Sequence, residues 1–367
     1  MAHMLKRSGL GIALAMLAVS GSGFGLMPPE TIAAQVQEMQ VSSAPSPFGA
    51  PLTQDEIMTR VRTAYSKALD PDDIAADIDR RGIDFVVESA YANKIKFFRA
   101  AVVSNALWRA DDRRKALIAR PANPQTLEDH PEQDKPEFKS LPFIEQARVV
   151  ALAYVNGLPN FVVREQVQRY LKQSSTPWKL GDYLEIEVSY AADRGEELKL
   201  KQKNGSSTNL TLDQIGGLTS TGQFAGQLAS LFSPESKAEF VEQGKVNFYG
   251  QPCMVYSYRV AKPNSKQLLK VEKAQVVTGY RGQVYIHRDT WQVLRMEQEA
   301  VEIPSDFPLT AASSTVDFGW VSLSDRDFLL PVYAQVTLTS KQVNTTGMNC
   351  IAFHKYSKFE TDVKIVD

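Results

Sequence analysis

The chain has 367 residues, 43% of them hydrophobic, and a formal net charge of −1. That length exceeds one average domain and supplies a sizeable core, while near-neutrality removes any overall field that would steer the chain onto nucleic acid, so no nucleic-acid partner is expected. There are four histidines, one of them His3, which argues against a multi-histidine metal centre; no cofactor is expected.

Lys6 and Arg7 precede an apolar run from Leu10 to Val19, and small residues follow as far as Gly25. Charged, apolar and small in that order is the plan of a secretory signal peptide, and the apolar run is short for a membrane span of roughly 20 residues. Residues 1–34 therefore read as a signal peptide, cleaved near Gly25 or after Ala34, and the chain as periplasmic or secreted. An uncleaved anchor is the alternative. No cysteine lies nearby, so lipid attachment at a new N-terminus is not expected. The cysteines are Cys253 and Cys350, which fall in strands far apart; two separate buried thiols are expected rather than a disulfide.

Residues 35–50 are rich in Ser, Pro and Ala, a linker composition. A small helical domain over 51–115 follows. Thr53 and Glu56 have the spacing of a capping box, Pro71 opens a second helix that Gly82 stops, and residues 90–110 carry Ile95, Phe98, Val102 and Leu107 at helical spacing. This domain is the expected place for an envelope protein partner. Its RRGIDF stretch, 80–85, resembles a small helical module of exported multidomain bacterial proteins. Residues 116–140 are dominated by prolines and charges and read as a second linker.

From residue 141 onward the pattern changes. A helix over 143–155 leads into alternating segments. Leu184, Ile186 and Val188 share one face of a strand; Met254, Tyr256 and Tyr258 share one face of another; Leu330, Val332, Ala334, Val336 and Leu338 alternate with polar residues. Pro331 cannot donate to a ladder and marks an edge or a bulge. Residues 280–303 read as a hairpin that sets Val284 opposite Met296 and Ile286 opposite Leu294. In all, about eleven antiparallel strands are expected, each with one apolar and one wet face. A sheet of that size curls, and its concave apolar face needs a cover. The helix over 143–155 and the stripe Phe224, Leu228 and Phe232 are the covers available. The fold class is α+β: a curved antiparallel half-barrel with a helical lid, behind a small helical domain.

One helix, then antiparallel strands with a helical insertion after the third, resembles the periplasmic lipoprotein-carrier family of LolA/LolB-like half-barrels. The stretches that carry the likeness are LPNFVVREQVQRY, GQVYIHRDTWQVLRMEQEA and FLLPVYAQVTL, within 141–367. The resemblance implies that the concave face and its lid hold acyl chains of a lipoprotein. It also matches Phe161 and Gln166 to an aromatic residue and a glutamine of the family's first strand.

Three other patterns compete for chemistry. The glycine-rich IGGLTSTGQFAG, 215–226, lacks the Gly-Lys-Ser/Thr ending of a phosphate loop and reads as a lid loop with a helix cap at Thr219 or Ser220. Glu297, Glu299, Glu302, Asp289 and Asp317 offer carboxylates for glycoside hydrolysis but read as charges on the wet face of the hairpin. No nucleophile elbow supports a serine triad. The expected function is therefore binding of a hydrophobic or acylated ligand, a lipid or a lipoprotein, without enzymatic activity. The ligand-binding residues would be Leu184, Ile186, Val188, Phe224, Leu228, Phe232, Met254, Tyr256, Tyr258, Leu330, Val332 and Val336. A non-enzymatic envelope module with a filled core is the alternative, and an envelope hydrolase ranks last.

Overall fold

A computed structural model describes residues 11–16, 49–67, 70–98, 100–120, 135–220, 224–342 and 344–359. The linker reading over 35–50 and most of the signal-peptide reading lie outside them. Four helices come first: α1 (Gln54–Lys67), α2 (Pro71–Arg81), α3 (Ser89–Phe97) and α4 (Ala101–Ile118). The capping box is present, with Thr53 N–H donating to Glu56 Oε2 at 2.8 Å and Glu56 N–H to Thr53 Oγ1 at 3.2 Å. Asp70 caps α2, Pro71 occupies its first turn, Arg80 and Arg81 meet its C-terminal dipole, and Gly82 ends it at φ 76°. The single helix expected over 90–110 is two, α3 and α4, because the chain turns between Phe97 and Ala101. α4 also runs into the stretch read as a linker, and α5 (Pro136–Ser140) lies at that stretch's far end.

The helix α6 (Phe143–Asn156) leads into the main sheet. Its strands are β2 (Phe161–Gln173), β3 (Lys179–Ala191), β4 (Gly195–Lys203), β5 (Ser206–Ser207), β7 (Glu239–Phe248), β8 (Gln251–Val260), β11 (Gly279–His287), β12 (Val293–Val301), β13 (Leu309–Leu323), β14 (Arg326–Ser340) and β15 (Thr345–Lys358). They form an open, antiparallel eleven-stranded sheet in the order β5-β4-β3-β2-β15-β14-β13-β12-β11-β8-β7. The first and last strands, β2 and β15, are thus neighbours in its middle. Pro234–Ser236 makes one tight turn and β7 starts at Glu239.

A second sheet was not foreseen. It has the order β10-β9-β1-β6, with β9 (Gln267–Val271), β10 (Ala274–Val277), β1 (Gly11–Met16) and β6 (Gly217–Ser220). Here β1, from the apolar run read as part of a signal peptide, pairs parallel with β6 and antiparallel with β9. Two further helices, α7 (Leu212–Ile215) and α8 (Gly226–Phe232), flank β6 in the insertion between β5 and β7. Thr219 and Ser220, expected to cap a helix, lie in β6, and the N-cap position of α8 is Ala225, with no side-chain cap.

The hairpin sets Val284 opposite Met296 as expected, but a bulge after Tyr285 puts Ile286 opposite Val293 and leaves Leu294 as the extra residue. Pro331 pairs with Phe318 beside a bulge at Asp317/Phe318, where a missing N–H does no harm.

Candidate functional site

The inner face of the main sheet is the one that α6 and α8 cover. It gathers Phe161, Val163 and Val167 of β2, Leu184, Ile186 and Val188 of β3, Val284 and Ile286 of β11, and Val316 and Ala334 of the central strands into one apolar cluster. Phe224, Leu228, Leu231 and Phe232 close it from the lid side. Eleven of the residues expected to bind ligand belong to this cluster, and nine of them face inward: Leu184, Ile186, Val188, Phe224, Leu228, Phe232, Met254, Tyr256 and Tyr258. Leu330 and Val332 do not, because the bulge in β14 turns them to the outer face, where Leu330 pairs with Gly319 and Val332 lies beside Gly319 and the Ala116 carbonyl of α4. The twelfth is outside the cluster: Val336, with Leu338, packs beneath the second sheet against Leu218, Leu269 and Val271. The apolar stripe of β14 is therefore shared between two covers.

All twelve are buried, so in this form the inner face is closed by the protein's own side chains. The tyrosines are not free to meet a ligand as donors. Tyr258 donates to the Glu297 carbonyl at 2.7 Å, and Tyr256 donates to Glu242 Oε2 at 3.2 Å while stacking on Phe143. Burial raises both hydroxyls above the usual tyrosine range, Tyr256 to about 12.

The lid helix is short and lightly tied. Arg148 Nη1 of α6 donates to the Phe232 carbonyl at 2.6 Å, and Ser230 Oγ lies 3.3 Å from the Tyr280 hydroxyl. Two such bonds contribute about 1 kcal/mol each, whereas burial of Leu228, Leu231 and Phe232 contributes about 1.5–3 kcal/mol apiece. Apolar contact is what seats α8, so an apolar ligand that replaces that contact can take its place.

The matched pair Phe161 and Gln166 is split. Residues five apart on an unbulged strand point to opposite faces. Phe161 is fully buried on the inner face, while Gln166 is half-buried on the other side, between Ala352 and Glu185.

The outer face carries what the composition-based reading missed. It was expected to be wet, yet Asp317 is 0% exposed and Glu297 is buried as well. Arg113 of α4 reaches Asp317 through Nε at 2.8 Å, and Arg295 of β12 reaches it through Nε at 2.6 Å and Nη2 at 3.0 Å. The two guanidinium groups hold the Asp317 carboxyl below its usual range against the cost of burial. Beside it, Asp79 of α2 accepts from Arg109 at 2.7 Å and from the Tyr170 hydroxyl at 2.6 Å, and the Tyr333 hydroxyl donates to the Asp79 carbonyl at 2.6 Å. Cys350 lines a small cavity between these groups, and both cysteines are free, buried thiols. Helices α2 and α4 thus dock on the outer face through buried charge. The signal for this in the sequence is acidic and basic residues at core positions of α2 and α4, which helical periodicity alone does not pair with strands two hundred residues away.

One inner-face residue also went unremarked. The alternation that buries Phe161, Val163 and Val167 buries Glu165 with them, at 3% exposure. Loss of solvent, and secondarily the Glu196 carboxylate, push its pKa up to about 8.

No protein-family model matches the chain, and no curated protein matches it. Among the solved structures similar to it are three with the following likeness. A domain from Vibrio parahaemolyticus, titled an outer membrane lipoprotein-sorting protein domain, shares 10% identity at a TM-score of 0.30, over 61% of this chain and 96% of that one. A LolA superfamily protein from Nitrosomonas europaea shares 11% identity at 0.28, over 61% and 96%. A DUF1329 family protein from Desulfovibrio piger shares 9% identity at 0.26, over 62% and 96%.

Proposed function

We propose that the protein is an exported carrier that binds a hydrophobic or acylated ligand, a lipid or the acyl chains of a lipoprotein, between the inner face of the half-barrel and α8. The observation that carries this reading is the seating of α8, a seven-residue helix held mainly by apolar contact over a continuous apolar face. The ligand enters by replacing α8 on that face, and the leader over 1–34 supplies the route to the periplasm. Removal of the leader would also withdraw β1 from between β6 and β9. Of the carboxylates that a hydrolase reading would need, Asp317 is held by two arginines and Glu297, Glu299 and Glu302 each meet one, which supports binding without catalysis.

The second reading, an envelope interaction module with a filled core, is favoured by the burial of all twelve of these residues in the closed form. Native mass spectrometry of the protein from an envelope fraction separates the two and reads the mature N-terminus at once. The carrier reading expects co-purified lipid, saturable 1:1 binding of a fluorescent fatty acid, and about tenfold weaker binding in Phe224→Ala, whose ring packs 5.1 Å from that of Phe161. Absence of both lipid and saturable probe binding gives the filled-core reading its place.

A further inference from the structure

The inner face is apolar except at one end. There Glu165 of β2 projects between Ile186 and Phe353, its cross-strand neighbours. Burial and Glu196 disfavour its charge, and among the described residues no hydrogen bond or ion pair meets its carboxyl. Glu196, on β4 beside Tyr190, is half-buried at the rim, and its Oε1 accepts the Phe224 N–H at 3.4 Å. Aromatic rings pack on the same face. Phe161 stacks on Tyr190 at 5.0 Å and meets Tyr356 at 5.4 Å, and Phe224 meets Phe353 at 5.5 Å. From α6, the Tyr154 hydroxyl is buried without a partner, close enough to influence Tyr356, which also feels Glu165 and Glu196. The Tyr356 hydroxyl itself donates to the Pro331 carbonyl at 2.6 Å.

No cationic group meets the Glu165 carboxyl among the described residues. Two carboxyl groups, the acceptor oxygen of Tyr154 and the faces of several rings favour a positive charge there, and desolvation strengthens each of these attractions. A fatty acid would bring a third carboxyl group to the same place. A buried acid with no partner costs stability without any structural return, which points to a ligand that supplies the missing partner.

We propose that this cluster binds the ammonium group of a cationic amphiphile, the ammonium lying between Glu165 and Glu196 and the alkyl chain following the face that α8 covers. The assignment rests on the carrier reading and gives that site its head-group chemistry. On binding, the Glu165 O–H bond breaks, its proton passes to solvent, and the carboxylate pairs with the ligand cation.

The test is calorimetric titration at pH 7, below micelle-forming concentrations, with decyltrimethylammonium, decanoate and a neutral decyl ether of oligoethylene glycol. Wild-type protein should bind the cation about tenfold more tightly than either other probe. Titration in two buffers of different ionisation heat should show release of close to one proton per cation bound. Glu165→Gln, which keeps the shape of the protonated acid, should remove both the preference and the proton release while the neutral probe binds as before. Unchanged neutral binding also shows that the variant is folded. Equal binding of the three probes by the wild type overturns the assignment and leaves the carrier reading standing. So does a cation preference that survives both Glu165→Gln and Glu196→Gln. Failure of all three probes to bind overturns both.

Discussion

Two buried carboxyls of this protein answer pH in opposite directions. Asp317 has a folded pKa below its ordinary value because two guanidinium groups converge on it. Its contribution to stability is present above the unfolded pKa and fades as pH falls through the folded one. Glu165 has a folded pKa of about 8 against an ordinary 4.5, because burial and Glu196 disfavour its charge. Between those two values the native state holds a proton that the unfolded state has lost, so each step up in pH through this window costs stability. Glu165→Gln cannot ionise. Melting temperatures of wild type and variant should lie close together near pH 5 and separate by pH 8.5, the variant being the more stable, as scanning calorimetry of the ligand-free proteins would show. Parallel curves over that range would mean that Glu165 is solvated in solution.

At the scale of the element, the central hairpin shows how much local sequence can say. Val284 and Met296 pair as alternation requires, yet the bulge after Tyr285 displaces Leu294, because alternation sets the face of each residue but not the point at which a strand gains one. Gly282 marks another limit. A Cβ at this position would stand 1.8 Å from the Glu297 carbonyl oxygen and 2.7 Å from the Tyr258 hydroxyl, which crosses it to donate to that carbonyl. The glycine is legible as a strand interruption, but its reason lies in a tyrosine of the neighbouring strand. Gly282→Ala must push β12 or Tyr258 aside, and a loss of about 2–4 kcal/mol in urea unfolding is expected. A loss below about 0.5 kcal/mol would show that the strands part there without cost. The lid stripe and the helix before β2 were readable from periodicity, whereas the second sheet was not: its strands are short, and β1 comes from a segment whose composition announces a leader.

At the scale of the whole molecule, the main sheet is covered on both faces, by α6 and α8 inside and by α2 and α4 outside. The half-barrel was readable because one-sided strands follow one another along the chain. The docking of the helical region was not, because Arg113 and Asp317 are partners only once the sheet exists. That pairing predicts joint unfolding of helices and sheet. Asp317→Ala leaves two buried guanidinium groups without their acceptor and should cost about 3–5 kcal/mol. Unfolding followed by far-ultraviolet dichroism and by tryptophan fluorescence should give coincident transitions in wild type. Separate transitions in wild type would show that the two regions fold independently.

The two open edges of the main sheet, β5 and β7, are consecutive in the main sheet's path through the sequence, and residues 208–238 join them. This strap is pinned partway along. Arg169 donates to the Gly216 carbonyl at 2.9 Å and to the Leu218 carbonyl at 3.1 Å, and Asn349 donates to the Leu218 carbonyl at 2.8 Å. The pin divides the strap's slack. All of the chain that lifts α8 lies between the pin and β7, and none of it on the β5 side. Spreading the β7 edge therefore draws on the segment that carries α8, while the β5–β4–β3 edge meets that segment through side chains, Glu196 of β4 accepting the Phe224 N–H and Tyr190 of β3 lying beside the Phe224 ring. The two edges are thus unequal, like a door hung on one jamb with its latch on the other: β7 continues directly into the segment that bears α8, and the opposite edge only touches it.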